Sequence, residues 1–185
     1  EDPSLGVPPR THQPPTRSSI WVSCFPTQHW CSRTLWDRNY RLWASYAVLF
    51  SYQQTFYFSG DTALPTQFPL FAQIRSYLPF PVSLAALPIG AYEPRILNDD
   101  NHTSPIEAVK IHQELRARRS VAIHHGSFPL SEEPLEEPPQ WLCRAVLDAG
   151  LPAHAFVSIP HGDYLDCLSA TNRLSSTTKQ RKKLK

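Results

Sequence analysis

The order of apolar and polar residues along this chain predicts a series of strands and helices. Short apolar or alternating runs predict six strands, at residues 20–25, 40–50, 55–59, 84–89, 120–123 and 155–159. Apolar residues at helical spacing predict three helices, at residues 65–78, 104–115 and 140–149. Because strands and helices alternate in the second half of the chain, we expect a layered α/β fold.

Two of these elements carry further local signals. Residues 40–50 alternate as a half-buried strand should, and its apolar side carries Leu42, Ala44, Tyr46, Val48 and Phe50. The second helix has the clearest start, with Ser104 as N-cap, Pro105 at the first helical position and Glu107 at the third. Gly150 is the expected stop of the last helix.

Composition divides the chain into one domain and two tails. Residues 1–19 hold five prolines and almost no large apolar residue, which predicts a flexible lead-in. Residues 169–185 are basic and lack an apolar face, so we expect a disordered tail. The domain therefore spans residues 20–168, and its apolar content of 41% is sufficient for a packed core.

Charge and cysteine content exclude some classes of partner and site. A net charge of +2 gives no support for nucleic-acid binding. The four cysteines form no Cys-x-x-Cys pair, so we expect reduced thiols and an intracellular protein. No apolar run reaches the roughly 18 residues that a membrane-spanning helix needs. For the basic tail, a solvated segment is the first interpretation and peripheral contact with an anionic membrane the second.

Three polar residues each follow a predicted strand. They are His29, Asp61 and His124. In a layered α/β fold, strand ends open on a common edge, and imidazole and carboxylate groups are the ligands of hydrolytic zinc sites. Taken singly, each histidine is more simply explained as a satisfied polar residue. The spacing alone therefore predicts a metal site only weakly.

Longer sequence motifs strengthen this interpretation. The chain contains, in this order, PTQHWCSRTLWDRN, FYFSGDT, LPIGAYEPR, HTSPIEAVKIH, AIHHGSFPLSEEPLEEPP and HGDY. Together they resemble the N-acylphosphatidylethanolamine-hydrolysing phospholipase D family of the metallo-β-lactamase superfamily. The resemblance runs from about residue 20 to residue 163. It implies an α/β fold, the C-terminal half of an αββα sandwich, and a site with two zinc ions.

The resemblance also implies roles for individual residues. His29 matches a ligand of one zinc, Asp61 the catalytic carboxylate that bridges both, and His124 a ligand of the second. His102 matches a catalytic histidine near the substrate phosphate. His125 stands where the family has tryptophan, and the alternative is that a local shift makes His125 the ligand.

One expected motif is absent. The superfamily's His-x-His-x-Asp-His supplies four further ligands, yet no two of the eight histidines here are two residues apart. Three side chains cannot fill the coordination shells of two zinc ions. We therefore expect an incomplete enzyme: part of a zinc phosphodiesterase that acts on a phospholipid. The alternatives are a non-catalytic remnant or interaction module, and a first half supplied by another chain.

Half of a two-sheet sandwich would also leave a sheet face uncovered. We expect that face to include the runs TFYFS and LAALPI and the apolar side of residues 42–50. Large exposed apolar patches promote association between chains. The sequence therefore predicts a chain that aggregates when isolated.

Overall fold

A computed structural model describes residues 19–50 and 53–165 of the chain. Its six strands are β1 (Ile20–Pro26), β2 (Ala44–Phe50), β3 (Gln54–Phe58), β4 (Val82–Pro88), β5 (Ser120–Ile123) and β6 (Phe156–Val157). Its four helices are α1 (Leu70–Tyr77), α2 (Arg95–Asn98), α3 (Pro105–Leu115) and α4 (Glu137–Asp148). The predicted α/β fold is thereby confirmed. The predicted tails lie almost entirely outside the described residues.

All six strands form one sheet, in the order in which they occur along the chain. Strands β1, β2 and β3 are antiparallel neighbours, whereas β3 to β6 are parallel neighbours. Every strand except β2 therefore ends at the same edge of the sheet. Loops that follow β1, β3, β4 and β5 all begin at this carboxyl edge, which is where α/β sheets bind ligands.

Helices α1, α3 and α4 cover one face of the sheet, and α3 packs between the other two. The residues that the sheet contributes to this core point to one face, because successive side chains of a strand point to opposite faces. A register shift between β3 and β4 brings Val82 and Ala85 to the same face. They include Ala47, Leu49, Tyr57, Val82, Ala85, Leu87, Ala122 and Phe156. Full burial of a large apolar side chain stabilises the fold by about 1.5–3 kcal/mol.

The opposite face of the sheet has no helix on it among the described residues. Ile20, Val22, Tyr46 and Phe58 are exposed there, and register places Val48 between Val22 and Phe56. The predicted apolar side of β2 is thus the open side, and its buried side is formed by Ser45, Ala47 and Leu49. Alternation identified the strand correctly. The half-buried interpretation assigned burial to this side, whereas the expectation that the apolar side of residues 42–50 belongs to an uncovered face agrees with the structure.

Several predicted boundaries also need correction. The first helix begins at Leu70 rather than residue 65, and Phe68 before it is exposed. Prolines at positions 65 and 69 account for the late start, because the residue before a proline is pushed away from helical geometry. Strand β2 begins at Ala44 rather than residue 40, and β6 has two residues rather than five.

The last helix extends further towards its amino end than predicted. It begins at Glu137 instead of residue 140, with Pro138 tolerated in the first turn, where its missing N–H has no helical partner. Gly150 follows with φ of +69°, as expected of a residue that stops a helix. The short helix α2 was not predicted at all.

The start of α3 follows the sequence prediction closely. Ser104 accepts a hydrogen bond from the backbone N–H of Glu107, and the Glu107 carboxylate accepts one from the backbone N–H of Ser104. This capping box satisfies donors that the first helical turn leaves free. No helix among the described residues is both long and apolar enough to cross a bilayer.

Candidate functional site

Four predicted site residues meet at the carboxyl edge of the sheet. His29 lies three residues beyond β1, Asp61 three beyond β3, and His124 directly after β5. His102 lies in the connection between β4 and α3. Because these strands end at one edge, residues distant in sequence come together, as the strand-end argument predicts.

Thr62 joins the loops that carry three of these residues. Its side chain is fully buried, and its Oγ1 accepts a hydrogen bond of 3.1 Å from the backbone N–H of Gln28, next to His29. Its carbonyl oxygen accepts a hydrogen bond from the hydroxyl of Thr103, next to His102. Thr62 itself follows Asp61. One residue therefore fixes the relative positions of three loops.

Further hydrogen bonds join the same loops. The backbone N–H of Ala63 donates to the carbonyl of Gln28 at 2.8 Å. The amide Nε2 of Gln28 donates to the carbonyl of Asp100 at 3.3 Å. These contacts connect the loop after β1 to the loops after β3 and β4, so the site is built from backbone as well as side chains.

The turn before Asp61 requires glycine. Gly60 has φ of +62°, and a Cβ there would lie 3.2 Å from the carbonyl oxygen of Ala44 on β2. Ser59 anchors the turn from the other side, because its hydroxyl donates to the carbonyl of Ala86 on β4 at 3.0 Å. A left-handed backbone close to a neighbouring strand explains the Ser-Gly-Asp-Thr motif.

The three imidazole rings lie side by side. The ring centroids of His29 and His102 are 5.2 Å apart at an interplanar angle of 79°, and those of His102 and His124 are 5.2 Å apart at 25°. Nε2 of His124 lies 3.3 Å from Oδ2 of Asp61. The Asp61 side chain is 47% exposed, whereas that of His124 is 19% exposed, so the cluster opens to solvent on the carboxylate side.

Charge is distributed unevenly across the cluster. The hydrogen bond between His124 and Asp61 lowers the pKa of Asp61 and raises that of His124. Burial, together with the neighbouring His124 and His29, lowers the pKa of His102 to about 4. The cluster thus combines an ionised carboxylate with an imidazole that stays neutral near pH 7.

Unpartnered nitrogen atoms test whether these residues fit a metal ion. Buried Nε2 of His29 has no hydrogen-bond partner among the residues that the structure describes, whereas its Nδ1 donates to the carbonyl of Trp30 at 2.6 Å. Such an outer hydrogen bond fixes the ring so that the other nitrogen can bind a metal. The 3.3 Å between His124 and Asp61 also fits, since two ligands of one tetrahedral zinc lie about 3.3–3.6 Å apart.

The chemistry of these donors fits a metal ion, but their number and arrangement do not form a complete site. Within residues 19–50 and 53–165, no group of three or more His, Cys, Asp or Glu side chains is arranged to hold a metal ion. His29, Asp61 and His124 therefore fit part of a metal centre. Their roles as zinc ligands, and that of His102 as a catalytic residue, stay predictions.

The adjacent histidines point to different neighbours. His124 has φ of +59° and faces Asp61, whereas Nε2 of His125 lies 3.3 Å from the hydroxyl of Ser158. Both lie beyond the end of β5, so strand alternation is not the reason for their divergence. The left-handed backbone at His124 separates them instead.

The acidic run at residues 131–137 belongs to one of the family motifs, but no role for it was predicted from the sequence. In the structure Glu133 accepts hydrogen bonds from the backbone of Ala91 and Glu93, and Glu137 accepts one from the hydroxyl of Tyr92. These contacts lie directly behind His124. Clustered acids next to prolines were the available signal, but they indicate no partner by themselves.

Comparison with known sequences gives the following similarities. The profile of the family described as "Beta-lactamase superfamily domain" matches residues 6–125. N-acyl-phosphatidylethanolamine-hydrolyzing phospholipase D 1 of Caenorhabditis elegans is 39% identical over 147 residues, which are 78% of this chain and 40% of that protein. The mitochondrial N-acyl-phosphatidylethanolamine-hydrolyzing phospholipase D of Saccharomyces cerevisiae is 34% identical over 121 residues, or 65% and 25%. The chain thus spans less than half the length of these relatives.

Solved structures give the same fold. An isothiocyanate hydrolase from Delia radicum gut bacteria matches with a TM-score of 0.55 and 14% identity, over 76% of this chain and 51% of that one. Igni18, a metallo hydrolase from Ignicoccus hospitalis, matches with a TM-score of 0.52 and 18% identity, over 76% and 49%. At such low identity these similarities support the fold and not the reaction.

Proposed function

The chain belongs to the metallo-β-lactamase superfamily, in the branch of the N-acylphosphatidylethanolamine-hydrolysing phospholipases D, and from this premise we propose that its site serves zinc-dependent hydrolysis of a phosphodiester. The predicted family is confirmed by these similarities, and hydrolase activity of this chain is part of the proposal. The proposed substrate is N-acylphosphatidylethanolamine, and the products are phosphatidic acid and an N-acylethanolamine. The convergence of His29, Asp61, His102 and His124 at one sheet edge is the observation that carries the proposal.

Each residue has a distinct proposed task. His29 and His124 would each hold one of two zinc ions, and Asp61 would be shared between them. Bound zinc ions would acidify a water molecule and offset the negative charge of the phosphate. His102 is neutral, and its buried Nδ1 has no partner in the described part of the chain, so it would hydrogen-bond a phosphate oxygen.

The open side of the cluster fits a large substrate. The Asp61 side chain is more exposed than that of His124, so a phosphate could approach Asp61 from solvent. The proposed partner is a phospholipid in a membrane, met by peripheral contact. The name of the yeast relative assigns that protein to mitochondria. For this chain an intracellular, membrane-associated location is a proposal.

Zinc content and phosphodiesterase turnover test the proposal together. The chain of residues 1–185 should be compared with a chain extended at its amino end by a segment that carries His-x-His-x-Asp-His. We expect no stoichiometric pair of zinc ions on the shorter chain. The extended chain should hold two ions and cleave N-acylphosphatidylethanolamine in a chelator-sensitive way.

Variants of the extended chain assign the roles. Asp61→Asn and His29→Ala should each lower turnover by at least about a hundredfold, more than the loss of an outer-shell partner causes. His125→Ala is the matched control, because His125 faces Ser158, and it should retain both ions. Two zinc ions on residues 1–185 alone, or full turnover after Asp61→Asn, would contradict the proposed site.

A non-catalytic interaction module is the second candidate. It is favoured by the donor arrangement, since no described group of three side chains is placed to hold a metal. An extended chain that folds but neither holds zinc nor hydrolyses phospholipid would support this candidate. Metal binding and turnover that appear only when a separate amino-terminal segment is added would support assembly from two chains.

A further inference from the structure

The acidic segment at residues 131–137 packs against the turn at residues 90–93, which follows β4. The carboxylate of Glu133 accepts two backbone hydrogen bonds there. Oε1 accepts from the N–H of Ala91 at 2.5 Å, and Oε2 accepts from the N–H of Glu93 at 3.1 Å. One side chain thus satisfies two backbone donors of a turn that lies 40 residues earlier in the chain.

Other contacts hold the same two segments together. The hydroxyl of Ser131 donates to Oε2 of Glu133, and the backbone N–H of Glu132 donates to the carbonyl of Glu93 at 3.3 Å. Buried Tyr92 donates its hydroxyl to Glu137 at 2.7 Å, and its ring packs edge-on against Trp141 at 5.2 Å. The turn is therefore held on both sides of Glu133.

The turn in contact with Glu133 is also in contact with His124. A Cβ at Gly90 would lie 2.3 Å from the carbonyl oxygen of His124, so the two backbones touch. Ala91 has φ of +66° and His124 has φ of +59°, and both are left-handed conformations that side chains rarely adopt. Surrounding contacts must hold such residues in place, because an unsupported chain would relax.

The ionisation of Glu133 agrees with this geometry. Burial raises the pKa of Glu133, but hydrogen bonds from Ser131 and from the backbone N–H groups of Glu93 and Ala91 hold it below its ordinary value. A carboxylate that accepts several N–H bonds is favoured in its charged form. The charged form is also the one that can accept from both backbone donors at once.

We propose that Glu133 is a positioning residue, which fixes the orientation of His124 by holding the turn at Gly90 and Ala91, with Ala91 in its left-handed conformation. Glu133 does not touch the reacting atoms and acts only through this turn. The effect of Glu133 on the placement of His124 depends only on the contacts described above. Its consequence for hydrolysis rests on the proposed function.

The variant Glu133→Gln tests this with little change in shape. Glutamine keeps one acceptor oxygen but presents an NH₂ group to the other backbone N–H, so one of Ala91 and Glu93 loses its partner. In NMR spectra of the full chain, we expect amide hydrogen exchange at that residue to accelerate by about tenfold. The backbone amide and ring signals of His124 should shift as well.

The neighbouring variant Glu132→Gln is the matched control. Glu132 is exposed, and only its backbone bonds to the turn, so signals of Ala91 and His124 should stay in place. If Glu133→Gln fails to fold, Ser131→Ala removes one hydrogen bond from the carboxylate while both backbone bonds remain. It should shift the His124 signals by more than Glu132→Gln does.

Two results would overturn the proposal. In one, Ala91 or Glu93 exchanges faster in Glu133→Gln but the His124 signals do not move. In the other, Glu132→Gln moves them as much as Glu133→Gln does. In the extended chain with cobalt in place of zinc, Glu133→Gln should also change the visible absorption spectrum of the bound cobalt. If His124 shifts but turnover of the wild-type extended chain is absent, the proposed function fails and the positioning role remains.

Discussion

The two faces of the sheet are built from the same strands but have different surroundings. Val82 on the helix-covered face is 1% exposed, whereas Val22 on the opposite face is 63% exposed. The difference does not come from side-chain chemistry, because both faces carry valine, tyrosine and phenylalanine or leucine. Within residues 19–50 and 53–165, it comes from the presence of α1, α3 and α4 on one side of the sheet only.

The comparison shows that alternation along a strand identifies two faces without saying which one is buried. On β2 Tyr46, Val48 and Phe50 lie on the open face, and Ser45, Ala47 and Leu49 lie in the core. An open face that also carries large apolar residues fits a sheet that packs against a second layer. This agrees with the length of the relatives, which exceeds that of the chain.

Truncation of one valine on each face should give the largest contrast in stability. Val82→Ala should lower the free energy of unfolding by about 2–3 kcal/mol, because it removes two buried methyl groups and leaves a cavity. Val22→Ala should lower it by less than about 0.5 kcal/mol. Urea denaturation of both variants measures the difference. Equal losses would mean that the open face is covered in solution.

A buried histidine on α3 should make stability depend on pH. Burial lowers the pKa of His112, whose Nδ1 lies 2.8 Å from the hydroxyl of Ser120. The folded state then binds fewer protons than the unfolded state below about pH 6.5, so stability is present above that pH and is lost as the pH falls. The slope should reach at most about 1.4 kcal/mol per pH unit.

The variant His112→Gln removes this titration and keeps a hydrogen-bonding group for Ser120. We expect the free energy of unfolding of the variant to depend less on pH between about 5 and 6.5 than that of the wild type. Denaturation at several pH values measures the slopes. Identical slopes would contradict a neutral, buried His112.

Charge on the open face should have the smallest effect on stability and a clear effect on association. Val22→Lys should change the free energy of unfolding by no more than about 0.5 kcal/mol. It should also reduce self-association and dye binding, because a charge interrupts the apolar patch. Gln113→Lys adds the same charge on a helix surface as a control. A monomeric, cooperatively melting wild-type chain in sedimentation and calorimetry would falsify the predicted aggregation.

Local signals in the sequence predicted what depends on neighbours within a few residues. The capping box of α3 joins Ser104 and Glu107, and Gly150 stops α4 by its own backbone freedom. The positions of His29, Asp61 and His124 after strands were also visible, since strand ends need only short-range patterns. Family resemblance then supplied the proposed ligand roles.

Contacts between distant residues could not be predicted in this way. The bonds from Ala91 and Glu93 to Glu133 span about 40 residues, and no periodicity marks them. The buried side of β2 depends on helices that occur later in the chain. The left-handed residue His124 likewise lies against Gly90, a long-range contact that no local motif marks.

Thr62 has a mechanical consequence for the site. Its hydroxyl and its carbonyl bond to two other loops while its neighbour in the chain carries the carboxylate. A displacement of any one loop therefore strains its hydrogen bond to Thr62 and is transmitted to the other two. Fluctuations at this edge of the sheet would thus couple the positions of His29, Asp61 and His102.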